Sequence, residues 1–547
     1  MNIPFLSRRP ATGRAPRAAR WGQTWLGGPA RLALAPIAGA ALALSFPTPG
    51  FWPLAPAALG ALFALFVTAA PRRAFCEGLL GGGVFTALLC RWFASVLIDF
   101  TSLGRGVAVA ACVLAGLIIG TLIGALAWFV ARIAARRGRG VALAFAPPLW
   151  LALDALRETF PFPFPWGSLG AAWASSPVGP PVAAVVGVYG LSLALLYGAA
   201  LCAALYLGRR RAALAGLGVW AGLTLGLALG GQAAQNRLGR GPELRVAAVQ
   251  ASLGEAGDPL GHWDAYEKLT REAAQRGAKL VVWPESAVPF RIDDDAAYRA
   301  KIEGLARELG VDVVVGSVTA APGGGYHNSD ALVSADGLLG GVQPKRRLVP
   351  FGEYLPLRPL FGRVPVIAWE MGEDFKPGDR TVVLAGRHAK VGALVCYEGA
   401  YPALAADLAE RGAQILANTT NDSWFGASAG PPQHLRHVLL RAAETGRPMV
   451  RAANSGVSAI VDRRGRVVAS LPIGARGTIV ANVELGAGVP PGAAVGGGVK
   501  TACAIVAAAA ILAGFALGRA PRRAPVPDIS NDVPAPAPAR GEGPNNA

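Results

Sequence analysis

Ala393-Leu394-Val395-Cys396-Tyr397-Glu398 is an apolar run that ends in a thiol and a carboxylate. A run this short and apolar reads as a buried strand, and strands apolar on both faces belong to sheets covered on both sides. The chain has six cysteines, and Cys396 alone stands outside a membrane-like segment. The topology developed below puts its surroundings on the outer side of a membrane, where cysteines ordinarily pair in disulfides. Cys396 has no partner cysteine in its own domain. A lone cysteine at a strand end beside a carboxylate is a candidate nucleophile, with a buried structural thiol as the alternative at this point.

Around this stretch, from 243 to 487, short apolar runs alternate with amphipathic ones. Strands are expected over 244–250, 280–283, 311–318, 331–334, 391–396, 414–418, 449–453 and 458–461. Helices are expected over 263–275, 295–309, 402–411 and 432–444. About 245 residues are ample for one α/β layered domain, with reactive groups at strand ends and loops.

The rest of the chain has a different texture. The 547 residues are 53% hydrophobic and only 16% charged, and the mean hydropathy is +0.40. A soluble protein of this size carries about 25% charged residues. Apolar stretches long enough to cross a bilayer fall at approximately 32–48, 52–70, 77–98, 106–131, 141–157, 182–207, 212–231 and 499–518, about eight spans, the fifth being short. Arginine clusters precede the first, separate the second from the third, the fourth from the fifth and the sixth from the seventh, and follow the eighth; the alternate loops are nearly bare. The positive-inside rule then puts both termini in the cytoplasm and the long segment between spans seven and eight on the far side. The expected order is a basic N-terminus (1–31), a seven-span bundle (32–231), an exported catalytic domain (232–498), an eighth span (499–518) and a disordered, Pro/Ala-rich cytoplasmic tail (519–547). Much of the net charge of +18 is these cytoplasmic arginines, which argues against nucleic acid as a partner.

Three reactive residues close strands or follow them. Glu285 lies in Val281-Val282-Trp283-Pro284-Glu285-Ser286, Lys345 in Gln343-Pro344-Lys345-Arg346-Arg347, and Cys396 in the run quoted above. A thiol that attacks a carbonyl carbon, a carboxylate that takes its proton and an ammonium that holds the oxyanion are the parts of an acyl-transfer site. Taken singly, Glu285 also suits a helix start and Lys345 a solvated basic run.

These motifs resemble the nitrilase, or carbon–nitrogen hydrolase, superfamily: the strand Val246-Ala247-Ala248-Val249-Gln250, Trp283-Pro284-Glu285, Lys345 before Leu348-Val349-Pro350-Phe351-Gly352-Glu353, and Cys396-Tyr397-Glu398. Together with the spans, and with Phe164-Pro165-Trp166-Gly167, Asn418-Thr419-Thr420-Asn421-Asp422-Ser423-Trp424-Phe425-Gly426, Gln433-His434 and 441–448, the chain is similar to the apolipoprotein N-acyltransferase family. The resemblance implies a membrane bundle of about eight spans carrying an exported αββα sandwich. It implies a catalytic triad of Glu285, Lys345 and Cys396 and no cofactor. It implies a membrane phospholipid as acyl donor and diacylglyceryl-modified apolipoproteins as acceptors, used in turn through a cysteine thioester. It places the enzyme in a bacterial inner membrane with a periplasmic catalytic domain, as a monomer. Glu353 is expected to orient Lys345 or the incoming amine, Glu398 to support the site or guide the amine, and Tyr397 and Trp263 to contact substrate, with a plain core role open for Trp263. The chain departs from the family at Gln343 and Arg347, where an aromatic residue and a histidine are usual, and at His327, where a tyrosine is usual. A membrane-tethered amidase of the same superfamily is the alternative.

The stretch 360–369 is unusually apolar for a loop, and Phe361, Ile367 and Trp369 mark it as an expected lid dipping into the membrane; a core-packed turn is the alternative. The five histidines are scattered, and only His434 and His437 share a helical spacing, so no metal is expected.

Overall fold

The computed structural model describes residues 30–516, apart from Ser102, 160–162, Arg240, 254–258, Val288 and 362–372. The terminal segments expected as basic arm and tail therefore fall largely outside the described residues. So do Ile367 and Trp369 of the expected lid; Phe361 closes the helical turn Arg358–Phe361.

The apolar stretches are helical. They form α1 (Ala30–Ala43), α2 (Leu54–Thr68), α3 (Pro71–Leu89), α4 (Trp92–Phe100), α5 (Arg105–Arg137), α6 (Arg139–Arg157), α7 (Gly179–Tyr206) and α8 (Arg210–Arg237). A last apolar helix, Gly492–Ala516, packs back against α7 and α6. Among the described residues five helices suit a membrane crossing by length and composition: α5 to α8 and the last. The pair α3–α4, bent by 56° where 77–98 reads as one continuous span, makes a sixth. Helices α1 and α2 have 14 and 15 residues, ~21–23 Å at 1.5 Å per residue and short of a ~30 Å hydrocarbon core. They are shorter than their apolar runs because the chain turns at 44–50, where Gly50 takes φ 83°. Helices α3 and α5 lie backbone to backbone. A Cβ on Gly120 would sit 2.5 Å from the Leu79 carbonyl oxygen, and one on Gly124 2.8 Å from that of Phe75. Small residues are what allow such an approach between apolar helices.

Between α8 and the last helix stand two six-stranded sheets. The first has the order β12-β1-β2-β3-β4-β5 and the second β11-β10-β9-β8-β7-β6. The strands are β1 (Glu243–Gln250), β2 (Leu280–Val282), β3 (Asp312–Ala320), β4 (Tyr326–Val333), β5 (Leu339–Pro344), β6 (Val383–Ala385), β7 (Lys390–Val395), β8 (Ile415–Thr420), β9 (Met449–Ala453), β10 (Ser458–Val461), β11 (Val467–Leu471) and β12 (Gly477–Glu484). At the centre of each sheet three strands run parallel, β1-β2-β3 and β7-β8-β9. They are buried on both faces, which is why they read as continuous apolar runs. Val246, Val282, Val314, Val391, Ile415 and Val450 fill the space between the sheets. Helices α9 (Pro259–Gln275) and α10 (Ala296–Leu309) cover the outer face of the first sheet, Tyr266 of α9 and Ile302 of α10 sharing one core with Trp283. Helices α11 (Pro402–Glu410) and α12 (Gly430–Thr445) cover the second, Val438 of α12 sharing one core with Leu394 and Leu416 of the sheet. The result is an αββα sandwich, with the last helix, α13, following it.

Helix α12 also joins the sandwich to the bundle. Its Gln433 side chain is buried with all its main hydrogen-bonding capacity used. Oε1 accepts from Trp166 Nε1 at 2.7 Å and Trp92 Nε1 at 3.2 Å. Nε2 donates to the Pro47 carbonyl at 2.7 Å and the Leu89 carbonyl at 3.1 Å. Gln433→Leu strands two indole N–H groups and two carbonyls in an apolar joint, and each orphaned group costs about 1–3 kcal/mol. The variant is expected to unfold several degrees below wild type in the same detergent, read by tryptophan fluorescence; an unchanged transition contradicts this account of the joint.

Candidate active site

Cys396 follows directly on β7 and opens the one-turn 3-10 helix Cys396–Ala400. Its φ of +53° is a left-handed conformation that costs a non-glycine residue about 1–3 kcal/mol, and such strain collects at functional sites. The backbone is held there by side chains. Asn418 Nδ2 donates to the Cys396 carbonyl oxygen at 3.0 Å, and His434 Nε2 lies 3.1 Å from it. Cys396 is a free thiol.

Glu285, expected at the end of the second strand, sits three residues beyond β2 and is buried. Its Oε1 accepts from Asn328 Nδ2 at 2.6 Å and Lys345 Nζ at 3.2 Å, and its Oε2 from the Asn421 backbone N–H at 2.8 Å. The thiol meets this group through the end of β8, where Thr420 Oγ1 lies 3.2 Å from Cys396 Sγ and the next residue, Asn421, is the one that donates to Glu285. Lys345 follows β5, is almost fully buried, and donates to Glu353 Oε1 at 2.8 Å. Asn328 of β4 bridges the two carboxylates, reaching Glu353 Oε1 at 2.7 Å. The structure therefore brings Glu285, Lys345, Glu353 and Cys396 together from the segments that follow β2, β5 and β7.

Charge states follow from these contacts. Burial works against ionisation of Glu285, but Lys345, Asn328 and the Asn421 N–H outweigh it and hold the carboxyl below its usual range. Burial likewise opposes the Lys345 charge, and Glu285, Glu353 and Cys396 hold its pKa well above the ordinary value. Burial, reinforced by the Glu285 charge, pushes the Cys396 thiol up. At rest the site is carboxylate, ammonium and neutral thiol.

The supporting residues fall in different places. Glu353 also accepts from the Val349 backbone N–H at 2.8 Å, which fixes it beneath Lys345. Glu398 is buried and receives three backbone N–H groups: Val395 at 2.9 Å, Arg346 at 2.7 Å and Arg347 at 3.2 Å. One carboxylate thus ties the chain just after Lys345 to the chain just before Cys396. Tyr397 stacks on Trp166, with ring centroids 6.3 Å apart and planes 15° apart, so the turn that Cys396 opens leans on the helical bundle. Trp263 packs in the helix layer over the first sheet, edge-on to Trp283 and Tyr298.

A second buried network lies beneath the thiol, and sequence reasoning assigned it no role. Arg451 of β9 donates to Asp422 Oδ2 at 2.6 Å, to Asn418 Oδ1, and to the Val457 carbonyl at 3.2 Å. Its NH2 lies 3.1 Å from His434 Nδ1. Burial opposes the Asp422 charge, yet the Arg451 guanidinium keeps the carboxyl well below the usual carboxylate range. Burial and Arg451 together lower the His434 pKa. A neutral His434 beside a guanidinium that only donates must accept at Nδ1, so its proton sits on Nε2 and points at the Cys396 carbonyl. Asn418, Asp422 and His434 stood in stretches noted for resemblance alone; nothing in the sequence marked Arg451.

Comparison with known proteins agrees with both halves of the chain. The family model described as the apolipoprotein N-acyltransferase N-terminal domain matches residues 38–201, and the carbon-nitrogen hydrolase model matches 245–488. The apolipoprotein N-acyltransferase of Geobacter metallireducens is 35% identical over 510 residues, covering 89% of this chain and 95% of that protein. That of Pseudomonas syringae pv. tomato is 32% identical over 472 residues, 82% and 90% of the two chains. That of Azotobacter vinelandii is 34% identical over 487 residues, 84% and 90%.

Proposed function

This chain belongs to the apolipoprotein N-acyltransferase family, and we propose that it moves the sn-1 acyl chain of a membrane phospholipid to the N-terminal α-amine of diacylglyceryl-cysteine apolipoproteins by way of a thioester on Cys396. The observation that carries the reading is the meeting of the buried pair Glu285 and Lys345 with the half-buried thiol of Cys396, on a turn that leans on the bundle through Tyr397. Glu285 takes the thiol proton as Sγ attacks the ester carbonyl. Lys345 has three N–H donors; the Oε1 atoms of Glu285 and Glu353 take two and leave the third for the developing oxyanion. Glu285 returns the proton to the departing lysophospholipid oxygen. The amine then attacks the thioester, which gives ping-pong kinetics.

In this reading α1 to α8, with α3–α4 as one pass, and α13 make eight passes. Both termini are cytoplasmic and the sandwich faces the periplasm, supported by the arginine-rich loops on one side and bare loops on the other. Glu353 orients Lys345, and Glu398 sets the distance between the Lys345 and Cys396 segments. Phe361, Ile367 and Trp369 remain the proposed lid.

The direct test incubates the purified protein in detergent with phospholipid alone and weighs it intact. A hydroxylamine-sensitive acyl adduct is expected on wild type and not on Cys396→Ala. No adduct, with hydrolysis of small amides instead, would establish the tethered amidase.

The charge states give a second expectation. A carboxyl whose folded pKa is depressed stays ionised as pH falls, and its contribution is lost only on passing that lowered value. With Glu285 held below the ordinary Glu pKa of about 4.3, the rate of Cys396 acylation by phospholipid, a half-reaction in which no amine takes part, is expected to stay flat from pH 8 to about 5 and to fall only below about 4. An acid limb centred near 6 would remove Glu285 from the role of base.

A further inference from the structure

The hydroxyl of Thr420 lies between the nucleophile and the buried carboxylate below it. Strands β7 and β8 run parallel, with Val395 opposite Thr419, and this register brings Cys396, just past β7, beside Thr420 at the end of β8. Thr420 Oγ1 is 3.2 Å from Cys396 Sγ and 2.9 Å from Asp422 Oδ1. Thr420 is fully buried. A hydroxyl has one proton and cannot donate to both. Asp422 Oδ2 is taken by Arg451. His434 Nδ1, 3.1 Å from Oδ1, carries no proton in the tautomer derived above. The hydroxyl is then the side-chain donor available to Asp422 Oδ1 among the described residues. While Cys396 is a neutral thiol, the charge-assisted bond to Asp422 is the stronger of the two, and the hydroxyl turns a lone pair toward Sγ.

We propose that Thr420 is a further catalytic residue, whose hydroxyl swings from Asp422 to Cys396 Sγ when the thiolate forms and swings back when the sulfur is acylated. This rests on Cys396 being the nucleophile. The proton balance needs no added group. The thiol proton passes to Glu285, the Sγ–carbon bond forms as the ester C–O bond breaks, and Glu285 delivers the proton to the glycerol oxygen that leaves. Thr420 keeps its own proton throughout and changes only its acceptor. The same swing recurs in the second half-reaction, when the amine displaces the thiolate from the thioester. Asp422 holds the hydroxyl between turnovers. It stays charged when the hydroxyl leaves, because Arg451 still pairs with Oδ2.

The test compares Thr420→Val, which replaces the hydroxyl with a methyl of similar size, with Thr420→Ser, which keeps it. Alkylation of Cys396 by iodoacetamide in the full-length detergent-solubilised protein is followed by intact mass, with Cys396→Ala subtracting the other five cysteines. This readout needs no lipid and reports on thiolate formation. Thr420→Val is expected to slow alkylation at least about tenfold, since a hydrogen bond to a charged group is lost. It should slow acyl-adduct formation from phospholipid by a similar factor, while Thr420→Ser stays within about threefold of wild type in both. Alkylation of Thr420→Val at the wild-type rate overturns the proposal. So does a Thr420→Ser variant as slow as Thr420→Val, because the hydroxyl would then not be the operative group. If Cys396→Ala retains acyl transfer, the nucleophile reading fails instead, and this proposal with it.

Discussion

Replacing Lys345 with Met is expected to lower kcat/KM for acyl transfer by at least about a thousandfold and to destabilise the protein by about 3–5 kcal/mol. Both effects have one origin. The ammonium is buried between Glu285 Oε1 at 3.2 Å and Glu353 Oε1 at 2.8 Å. These two oxygens also share the Asn328 amide as donor. Met fills the volume but leaves two buried carboxylates facing each other across one amide. Like charges at that spacing cannot both stay ionised, so the pair takes up a proton. If Glu285 takes it, the base is lost; if Glu353 takes it, the oxyanion still has no ammonium. Thermal unfolding and single-turnover acylation separate the two consequences. Adding Glu353→Gln to Lys345→Met removes one of the clashing charges and is expected to recover part of the stability and none of the activity. A single variant that retains activity within tenfold of wild type would take the oxyanion role away from Lys345. Equal stability of single and double variants would mean that the carboxylate pair is not what the lysine offsets.

Much of this cluster is legible in the sequence because its members end or follow buried strands. The central strands β1, β2, β3, β7, β8, β9 and β10 show as apolar runs, since each is covered on both faces, and β9 and β10 fall where the pattern puts them, at Met449–Ala453 and Ser458–Val461. The strands that were not foreseen lack that signature. β5 carries Gly340, Gly341 and Pro344, β6 has three residues, and β11 and β12 at the open side of their sheets are partly exposed. The α3–α4 bend falls at Cys90-Arg91, where one arginine inside a long apolar run does not by itself mark a break, and α1 stops short because the apolar Leu44 and Phe46 that follow it read as further helix. Glu285, Lys345 and Cys396 could be named because each reactive type stands in a recognisable local motif. Asn328, Thr420 and Gln433 could not be given roles. Their work depends on partners 43, 24 and 341 residues away, and a neutral amide or hydroxyl in an α/β domain has no signal of its own. Arg451 is the extreme case, a charged residue in the middle of a buried parallel strand, where a sequence pattern predicts valine or isoleucine.

That arginine carries the second large effect. Arg451→Met is expected to cost about 3–5 kcal/mol and to slow acylation of Cys396 by at least about tenfold, although Arg451 makes no direct contact with the thiol among the described residues. Its guanidinium is fully buried and ties Asp422, Asn418 and the Val457 carbonyl into one body, with His434 against its NH2. Two of those partners, Asn418 and His434, hold the carbonyl of Cys396 in its left-handed conformation. Without the cation, Asp422 is a buried carboxylate with no counter-charge, and its pKa rises toward protonation. His434, freed of the neighbouring positive charge, regains a proton at Nδ1 and turns its hydrogen bond to Asp422. Asn418 loses the donor to its Oδ1 and is held only by the carbonyls of Leu394 and Cys396. The strained Cys396 turn can then relax, and the thiol loses its place between Glu285 and Thr420. Combining Arg451→Met with Asp422→Asn removes the unpaired charge, so the double variant is expected to be more stable than Arg451→Met alone. Its acylation stays slow, because neither the His434 tautomer nor the Asn418 amide is restored. Stability and acylation recovering together would show that Arg451 acts only by neutralising Asp422; recovery of stability alone would show that it also sets the shape of the nucleophile's turn.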